Sequence, residues 1–574
     1  MKQPFDVVLR KRLNWACLFF CLLCAALIGR LFLLQIISHR MYSSLAAKQH
    51  VTVQDVTPGR GSIFMHDKDG SSIPLAENRV YKTLIASPKV IVDASSTAQY
   101  LADEFGLNTE ALIKRFFNKE DEYEIIARKV EPDKADAIDQ KNMPGVFFQE
   151  EKLRLYPHGT LASQLVGFVS KEEESEVGKY GLERYYEEEL AGNRGAVDNR
   201  NQGASSFWLA LGRKIIHPPK NGSNIYTTID YNIQLKTEEI LTEAREKWQA
   251  SLGLAIVMEP NTGRIIALAN APSFDPNNYS KEKSFSVFLN PAVQAMYELG
   301  SVVKPITMAG ALQEHVVTPQ TTYTDTGIVK FGNYTIRNFD EQAHGVQTMS
   351  QVIENSLNTG MVFVSRLLGK EKQLEYIKRF GFGQKTGIDA VGELNGNISS
   401  LASNKDVDFA TAAFGQGIAI TPIQLATAIA AIANKGARMR PYIVDRIVDD
   451  SGNTVEKHPV IVEQVVSSEV AETITKMMVG AVRNGFENHA GIKGYFIAGK
   501  TGTAQIPKTD ARGYSDRFVH TFVGYAPAFN PKFLVLLELV DPKGNTFAAN
   551  TLTPAFHDLA QFILNYYEIP PDEK

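Results

Sequence analysis

The chain has 574 residues, 44% of them hydrophobic, and a formal net charge of −4. That length exceeds the usual single domain, so two or three domains with substantial cores are expected. The near-balanced charge, with no run of basic residues, argues against a nucleic-acid partner.

Residues 13–29 read LNWACLFFCLLCAALIG, without a charge, and LFLLQII resumes after Arg30. At about 1.5 Å per residue, the stretch 13–37 is long enough to cross a bilayer. Arg30 lies beyond its middle, where the side chain can snorkel toward an interface. Lys2, Arg10, Lys11 and Arg12 precede the run, against Arg40 and Lys48 just after it. The positive-inside rule then places the N-terminus in the cytoplasm and the remaining mass outside, as a single-pass protein of the cell (inner) membrane. A cleaved signal peptide is the alternative. The apolar stretch overshoots a signal core and no small-x-small site follows, so an uncleaved anchor is expected. All three cysteines, Cys17, Cys21 and Cys24, lie inside the span. The exported part therefore needs no disulfide or Cys-ligated metal, and no cofactor is expected.

Residues 38–220 mix charged helical stretches with short apolar runs, and LGRKIIHPPKNGSN at 211–224 reads as a linker or turn. From 221 the texture changes. A helix-like NIQLKTEEILTEAREKW is followed by LGLAIVMEP and GRIIALANA, two strands of a hairpin. HTFVGYAPA and KFLVLLELV form a second hairpin late in the chain. Between them the sequence reads as largely helical, with LATAIAAIANKG and SSEVAETITKMMVGAVRNG each stopped by glycine. Strands from both ends around a helical middle predict an α/β (α+β) domain, an antiparallel sheet flanked by helices.

Residues 494–501 satisfy the phosphate-loop pattern: Gly494, four residues, Gly499, Lys500, Thr501. The spacers Tyr495, Phe496 and Ile497 are bulky and strand-forming, and GTAQIP follows where a helix should start. The segment is therefore expected to be a strand of the sheet carrying an exposed lysine and hydroxyls, and a nucleotide hydrolase is set aside.

Ser301-Val302-Val303-Lys304 lies in ELGSVVKPITMAGALQEH. A serine and a lysine three apart share a helix face, so the amine can reach the hydroxyl and take its proton. Pro305 is tolerated only in a first helical turn, so the helix begins close to Ser301 and its positive end favours an alkoxide there. A lysine with a pKa of about 10.4 is no base at neutral pH. Burial or a second ammonium lowers that value, and Lys500 is the expected second charge. Ser-x-x-Lys alone is weak, since Ser280-Lys281-Glu282-Lys283 matches too; Lys385-Thr386-Gly387 likewise repeats the later Lys-Thr-Gly. Both decoys read as surface turns. In order along the chain stand Ser301–Lys304, then Ser356-Leu357-Asn358 55 residues after Ser301, then Lys500-Thr501-Gly502-Thr503 144 residues after Ser356. Ser356 and Asn358 could relay a proton and hold an amide, though each alone would more often cap a helix or a turn. The hydroxyls and ammonium of the third motif suit a carboxylate, while Gly502 removes a side chain where a ligand would lie.

Ser-x-x-Lys, Ser-x-Asn and Lys-Thr-Gly in this order resemble the serine acyltransferases that include penicillin-binding proteins and class A β-lactamases. The layout is similar to a class B penicillin-binding protein: tail 1–12, transmembrane anchor 13–37, non-catalytic pedestal 38–220 of the dimerisation type, and transpeptidase domain 221–574. PGRGSIF (58–64), EEKLRLYPHGTLASQLVGFV (150–169), GKYGLERYYEEELAGNRG (178–195), SNIYTTIDYNIQ (223–234) and FGQGIAITPIQLATA (414–428) resemble family segments. No glycosyltransferase domain is read ahead of the transpeptidase, which sets the bifunctional class aside. Two departures stand out: Leu299 where a proline is common, and FMHDKDG after RGSI where Asp-Arg-Asn-Gly is common. Neither removes a reacting group.

The resemblance implies a peptidoglycan D,D-transpeptidase acting on pentapeptide stems and acylated by β-lactams. It implies that Ser301 attacks the penultimate D-Ala carbonyl, with Lys304 as base, Ser356 as proton relay and Asn358 on the donor amide. Lys500, Thr501 and Thr503 would hold the donor carboxylate, and the N–H groups of Ser301 and Thr503 would form the oxyanion hole. KTGTAQ, TTID, the length and the lack of an appended C-terminal domain look more like the cell-division (septal) type than the elongation type. A glycan polymerase and other division proteins are the partners this implies. A D,D-carboxypeptidase and a non-catalytic β-lactam sensor remain open.

Overall fold

The computed structural model describes Trp15, Leu18, Phe19, Leu22, Leu23, Cys24 and Leu27, and residues 54–56, 58–172, 175–193, 195–198, 214–217, 220–485, 489–508 and 513–573. The expected anchor at 13–37 thus lies mostly outside the described residues. Its seven described residues are helical and exposed. Among the described residues no helix is long and apolar enough to cross a membrane.

The chain divides into two compact units, Met1–Pro58 with Asn193–Lys220, and Gly59–Gly192 with Asn221–Lys574. In the first, Gln54–Val56, Gly195–Asp198 and Lys214–His217 form a three-stranded antiparallel sheet. Part of the expected linker at 211–224 is therefore a strand.

In the second unit, strands Ile63–His66 (β1), Ser72–Ala86 (β2), Glu124–Val130 (β3), Val146–Leu155 (β4) and Asn224–Asp230 (β5) belong to one seven-stranded sheet. Its remaining strands are Val444–Val448 and Thr454–Glu456. The sheet joins residues from both sides of position 220, because β5 pairs parallel with β1 and antiparallel with Val444–Val448. Helices Ala94–Phe105 (α1) and Thr109–Phe116 (α2) cover β2 and β3 with a small core of their own, including Leu84, Leu101, Phe116 and Ile126. Local signals set α1: Asp93 accepts the N–H of Ser96 at its start, and Gly106, at φ 63°, ends it.

One buried ion network gathers three distant segments of the pedestal. Glu183, from GLERYYEEEL, accepts from Nε of Arg60 at 2.7 Å and from Nε of Arg154 at 2.6 Å. Arg60 comes from PGRGSIF and Arg154 from EEKLRLYP. Burial alone would raise the Glu183 carboxyl, but the guanidiniums of Arg154 and Arg60 hold it below the ordinary range. An ion buried this deeply is tolerable only because both oxygens are paired.

The second unit also holds a five-stranded antiparallel sheet of Leu252–Met258 (β6), Ile265–Ala271 (β7), Ala498–Pro507 (β8), Tyr514–Ala526 (β9) and Phe533–Val540 (β10), in the order β7-β6-β10-β9-β8. The two hairpins expected from the sequence are present, and they meet where β6 pairs with β10. Tyr231–Lys247 (α3) leaves β5 directly, capped by Asp230, which accepts the N–H groups of Asn232 and Ile233. The helical middle contributes Lys304–Gln313 (α4), Met349–Glu354 (α5), Asn358–Leu368 (α6), Pro422–Ala433 (α7) and Ser468–Asn484 (α8), and the chain closes with Ala548–Tyr566 (α9). Every residue of α7 is buried, as its continuous apolar run requires. The middle is less helical than expected: Thr322–Asp325 with Gly345–Thr348, Ile328–Phe331 with Tyr334–Arg337, and Ala437–Met439 with Ile461–Gln464 form two-stranded sheets. The β-branched and aromatic residues of TYTDTGIVKFGNYTIR favour that outcome.

Both faces of β10 are covered. Val535, Leu537 and Leu539 share a core with α3 and α9, while Leu534 and Leu536 join the core of the helical middle. Glu538 occupies the next position on that second face, fully buried, opposite Thr521 of β9 and Leu254 of β6. Neither of its oxygens has a hydrogen-bond partner among the described residues, and burial pushes its carboxyl up to about 8. The folded chain therefore holds a proton that the unfolded chain, with a carboxyl near 4.5, has released, so stability falls as pH rises from about 4.5 to about 8. The substitution Glu538→Gln is expected to raise the melting temperature by several degrees at pH 8 and to leave it nearly unchanged at pH 5; equal effects at both pH values would sink this account.

Candidate active site

Gly300–Val303 form a single 3₁₀ turn that runs straight into α4 at Lys304, with Pro305 in the first helical turn as expected. Gly300 adopts φ +66°, and a Cβ there would lie 3.0 Å from the carbonyl oxygen of Thr503. Only glycine meets both conditions without strain. The turn that presents Ser301 is thus pressed against the third motif.

Lys304 has no exposed surface. Its Nζ donates to the Ser356 carbonyl oxygen at 2.5 Å and to the Ser356 hydroxyl at 3.1 Å. The first and second motifs are therefore joined through the amine. Ser356 can turn both groups that way because it sits between α5 and α6 at φ +54°, a left-handed conformation that costs a serine about 1 kcal/mol. It caps no helix, so the commonplace reading of this serine fails. Burial, together with the positive charge of Lys500, drives the Lys304 ammonium well below its usual range.

Lys500, Thr501, Gly502 and Thr503 lie on β8, the outermost strand of the sheet. The strand begins at Ala498, later than expected, because Gly494 sits in a turn at φ +88°; it then continues to Pro507 with no helix after Thr501, which removes the phosphate-loop reading. Lys500 is 4% exposed, contrary to the expectation of an exposed lysine, and burial brings it down to about 8. Its Nζ donates to the carbonyl and hydroxyl oxygens of Thr501 at 3.3 and 3.4 Å. Gly502 is needed for a reason other than ligand space: a Cβ there would lie 2.4 Å from the Leu299 carbonyl oxygen and 2.9 Å from Val302 Cγ1. The Thr503 hydroxyl accepts the N–H of Ala548 at 3.1 Å, which docks the start of α9 on the motif. Opposite Thr503 on β9 is buried His520, which shares a hydrogen bond with Thr551 of α9 at 2.9 Å. Burial lowers its imidazole to about 4, so the ring is neutral at physiological pH.

Ser301, Ser356, Asn358, Lys500, Thr501 and Thr503 line one cleft of about 490 Å³, while Lys304 and Gly502 lie behind its wall. The Asn358 side chain donates to the Arg337 carbonyl oxygen at 2.9 Å. The cleft also draws on residues that carry no motif. Phe339 and Phe547 meet edge to face at 5.9 Å, and Phe414, Phe518, Glu341 and Glu354 complete other parts of the wall. Neither decoy reaches it. Ser280 is exposed in a 3₁₀ turn, whereas Thr386 is buried, contrary to the surface reading, because it gives its N–H and hydroxyl to the buried Glu393 within its own loop.

Residues 253–561 match the family described as Penicillin binding protein transpeptidase domain, and residues 55–227 match the Penicillin-binding Protein dimerisation domain. Stage V sporulation protein D of Bacillus subtilis is 33% identical, over 94% of this chain and 83% of the relative. The peptidoglycan D,D-transpeptidase FtsI of Escherichia coli K12 is 30% identical, over 96% of this chain and 92% of the relative. Penicillin binding protein 3 of Mycobacterium tuberculosis, solved in complex with aztreonam, superposes with a TM-score of 0.70 at 25% identity, covering 90% of this chain and 98% of that one. A cleft that gathers the three motifs, on a chain matched over both of its large regions, has one family to answer to: the chain belongs to the class B penicillin-binding proteins, of the FtsI type.

Proposed function

We propose that this peptidoglycan D,D-transpeptidase works through an acyl-enzyme on Ser301, and that the buried amine of Lys304 is what makes the serine reactive. The observation that carries the reading is the pairing of Lys304 with Ser356, beside Lys500 and directly after the Ser301 turn. An amine held neutral can take the Ser301 proton as Oγ attacks the penultimate D-Ala carbonyl. The developing oxyanion is received by the N–H groups of Ser301 and Thr503, an effect worth about 3 kcal/mol per donor in comparable sites. The C–N bond then breaks. The proton passes through Ser356 to the departing D-Ala amine, and the acyl group stays on Ser301 until the amine of a neighbouring stem displaces it.

Around that step, Asn358 holds the donor amide and Lys500, Thr501 and Thr503 its terminal carboxylate. The Thr503 hydroxyl oxygen already accepts from Ala548, so its own O–H is left to donate. The outermost position of β8 leaves backbone groups along one side without a strand partner, which suits an extended peptide laid beside it. The assignment extends to the layout read from the sequence: cytoplasmic tail 1–12, anchor 13–37, pedestal 38–220 and transpeptidase domain 221–574, outside the cell membrane. We place its action at the division septum, alongside a glycan polymerase and other division proteins, on the resemblance of its sequence to the cell-division type.

Fluorescent penicillin should label wild-type protein and the Ser280→Ala variant in membranes and leave Ser301→Ala unlabelled; labelling that survives in Ser301→Ala removes the nucleophile assignment. The pH profile tests the base. Acylation depends on neutral Lys304, so its rate climbs as pH rises through the Lys304 titration. Taking away the neighbouring charge in Lys500→Ala raises that pKa and moves the rising limb to higher pH. A limb that stays in place or moves to lower pH would show that Lys304 is not the group titrating.

A further inference from the structure

Behind the wall that carries Asn358 lies a carboxylate that belongs to none of the three motifs. Asp325 is 2% exposed. Four donors converge on it: Oδ1 accepts the Gly327 N–H at 2.9 Å and the Thr359 hydroxyl at 2.7 Å. Oδ2 accepts the side-chain amide of Asn338 at 2.8 Å and the His344 N–H at 3.0 Å. Asn338 closes the group, since its Oδ1 accepts the backbone N–H of Thr359 at 3.2 Å and lies 3.1 Å from the hydroxyl oxygen, whose one proton is best placed on Asp325. Thr359 lies in the first turn of α6, where the helix dipole steadies a nearby anion.

These bonds reach the cleft on two sides. Asn358 precedes Thr359, and its side chain donates to the carbonyl of Arg337, the residue before Asn338. Phe339 and Glu341 of the cleft wall lie in the loop between Asn338 and His344, both of which Asp325 grips. A single buried carboxylate therefore holds the helix turn that bears Asn358 and the loop to which its amide is bonded.

We infer that Asp325 is a positioning residue for substrate selection: it sets the orientation of Asn358, and thereby the preference for donors that carry an amide next to the scissile carbonyl. The inference rests on the role proposed above for Asn358. It also explains why an acid is needed there. All four partners are donors, and the carbonyl of an amide could serve only one pair of them while its NH₂ faced the other.

The test compares second-order acylation constants of the full-length protein for benzylpenicillin, which has an acylamino side chain, and for a carbapenem, which has a hydroxyethyl group in its place. In Asp325→Asn the penicillin-to-carbapenem rate ratio should fall about tenfold, the scale of one misplaced hydrogen bond to the ligand. Thr359→Val keeps the side chain's size but removes the hydroxyl that reaches Asp325, Asn338 and Tyr323, and should lower the ratio in the same direction; Thr359→Ser should restore it. Thr359→Val carries the test if Asp325→Asn does not fold. If both rates fall together, or neither falls, Asp325 only supports packing and the inference is overturned. Asn358→Ala is the reference: a lowered ratio there beside an unchanged one in Thr359→Val overturns the inference alone, while an unchanged ratio in Asn358→Ala overturns the amide role and the inference with it.

Discussion

The site depends on a lysine that has been taken out of water. Lys304 sits at the start of α4, below the cleft floor, with a serine carbonyl and hydroxyl as its partners and a second ammonium nearby. The carbonyl and the hydroxyl both accept from the amine, whereas burial and the second ammonium disfavour its charge, and burial of such a group is worth several pKa units. The chain accepts that cost because the sheet and the helices around the site are already packed. α7, buried along its whole length, and the turn before α4 meet the sheet from one side, while α3 and α9 cover the other.

Close backbone approach brings the other groups to that amine. Gly300 and Gly502 let the serine turn and β8 come together at a distance that no side chain would permit. The left-handed Ser356 turns its carbonyl and hydroxyl to the same point. On the far side of β8, Thr503 and His520 fasten the first turn of α9. The three motifs thus converge through main-chain geometry as much as through side-chain chemistry, with the left-handed Ser356 at the point where they meet.

Elsewhere the same interior treats buried carboxyl groups in three different ways. Glu183 in the pedestal has both oxygens paired with guanidiniums and remains charged, binding three segments that are far apart in sequence. Asp325 is equally buried and is satisfied by four neutral donors. Glu538 has no partner and is held as the acid. Burial is common to all three, and for Glu183 and Glu538 the supply of donors decides the charge state.

Much of the site was legible in the sequence because its reacting groups come as short, ordered motifs whose chemistry restricts their spacing. Ser301 with Lys304, Ser356 with Asn358, and Lys500 with Thr501 and Thr503 were all identifiable, as were the two hairpins, whose apolar runs and turn residues are local signals. The decoy at Ser280 could be set aside by its polar surroundings, and that at Lys385 by the Gly-Phe-Gly before it and the lack of a counterpart to Thr503. What sequence could not supply depends on residues brought together from afar. Asp325 reads as an ordinary Asp-x-Gly turn until Asn338, His344 and Thr359 are seen to point at it. The burial of Lys500 follows from its place against the serine turn, and the need for Gly502 follows from the carbonyl of Leu299, about two hundred positions earlier in the chain. Chemistry that rests on residue type and spacing is written locally. Solvent exclusion, close approach and the number of hydrogen-bond donors around a buried charge exist only after the chain has folded, because each is a property of the neighbours.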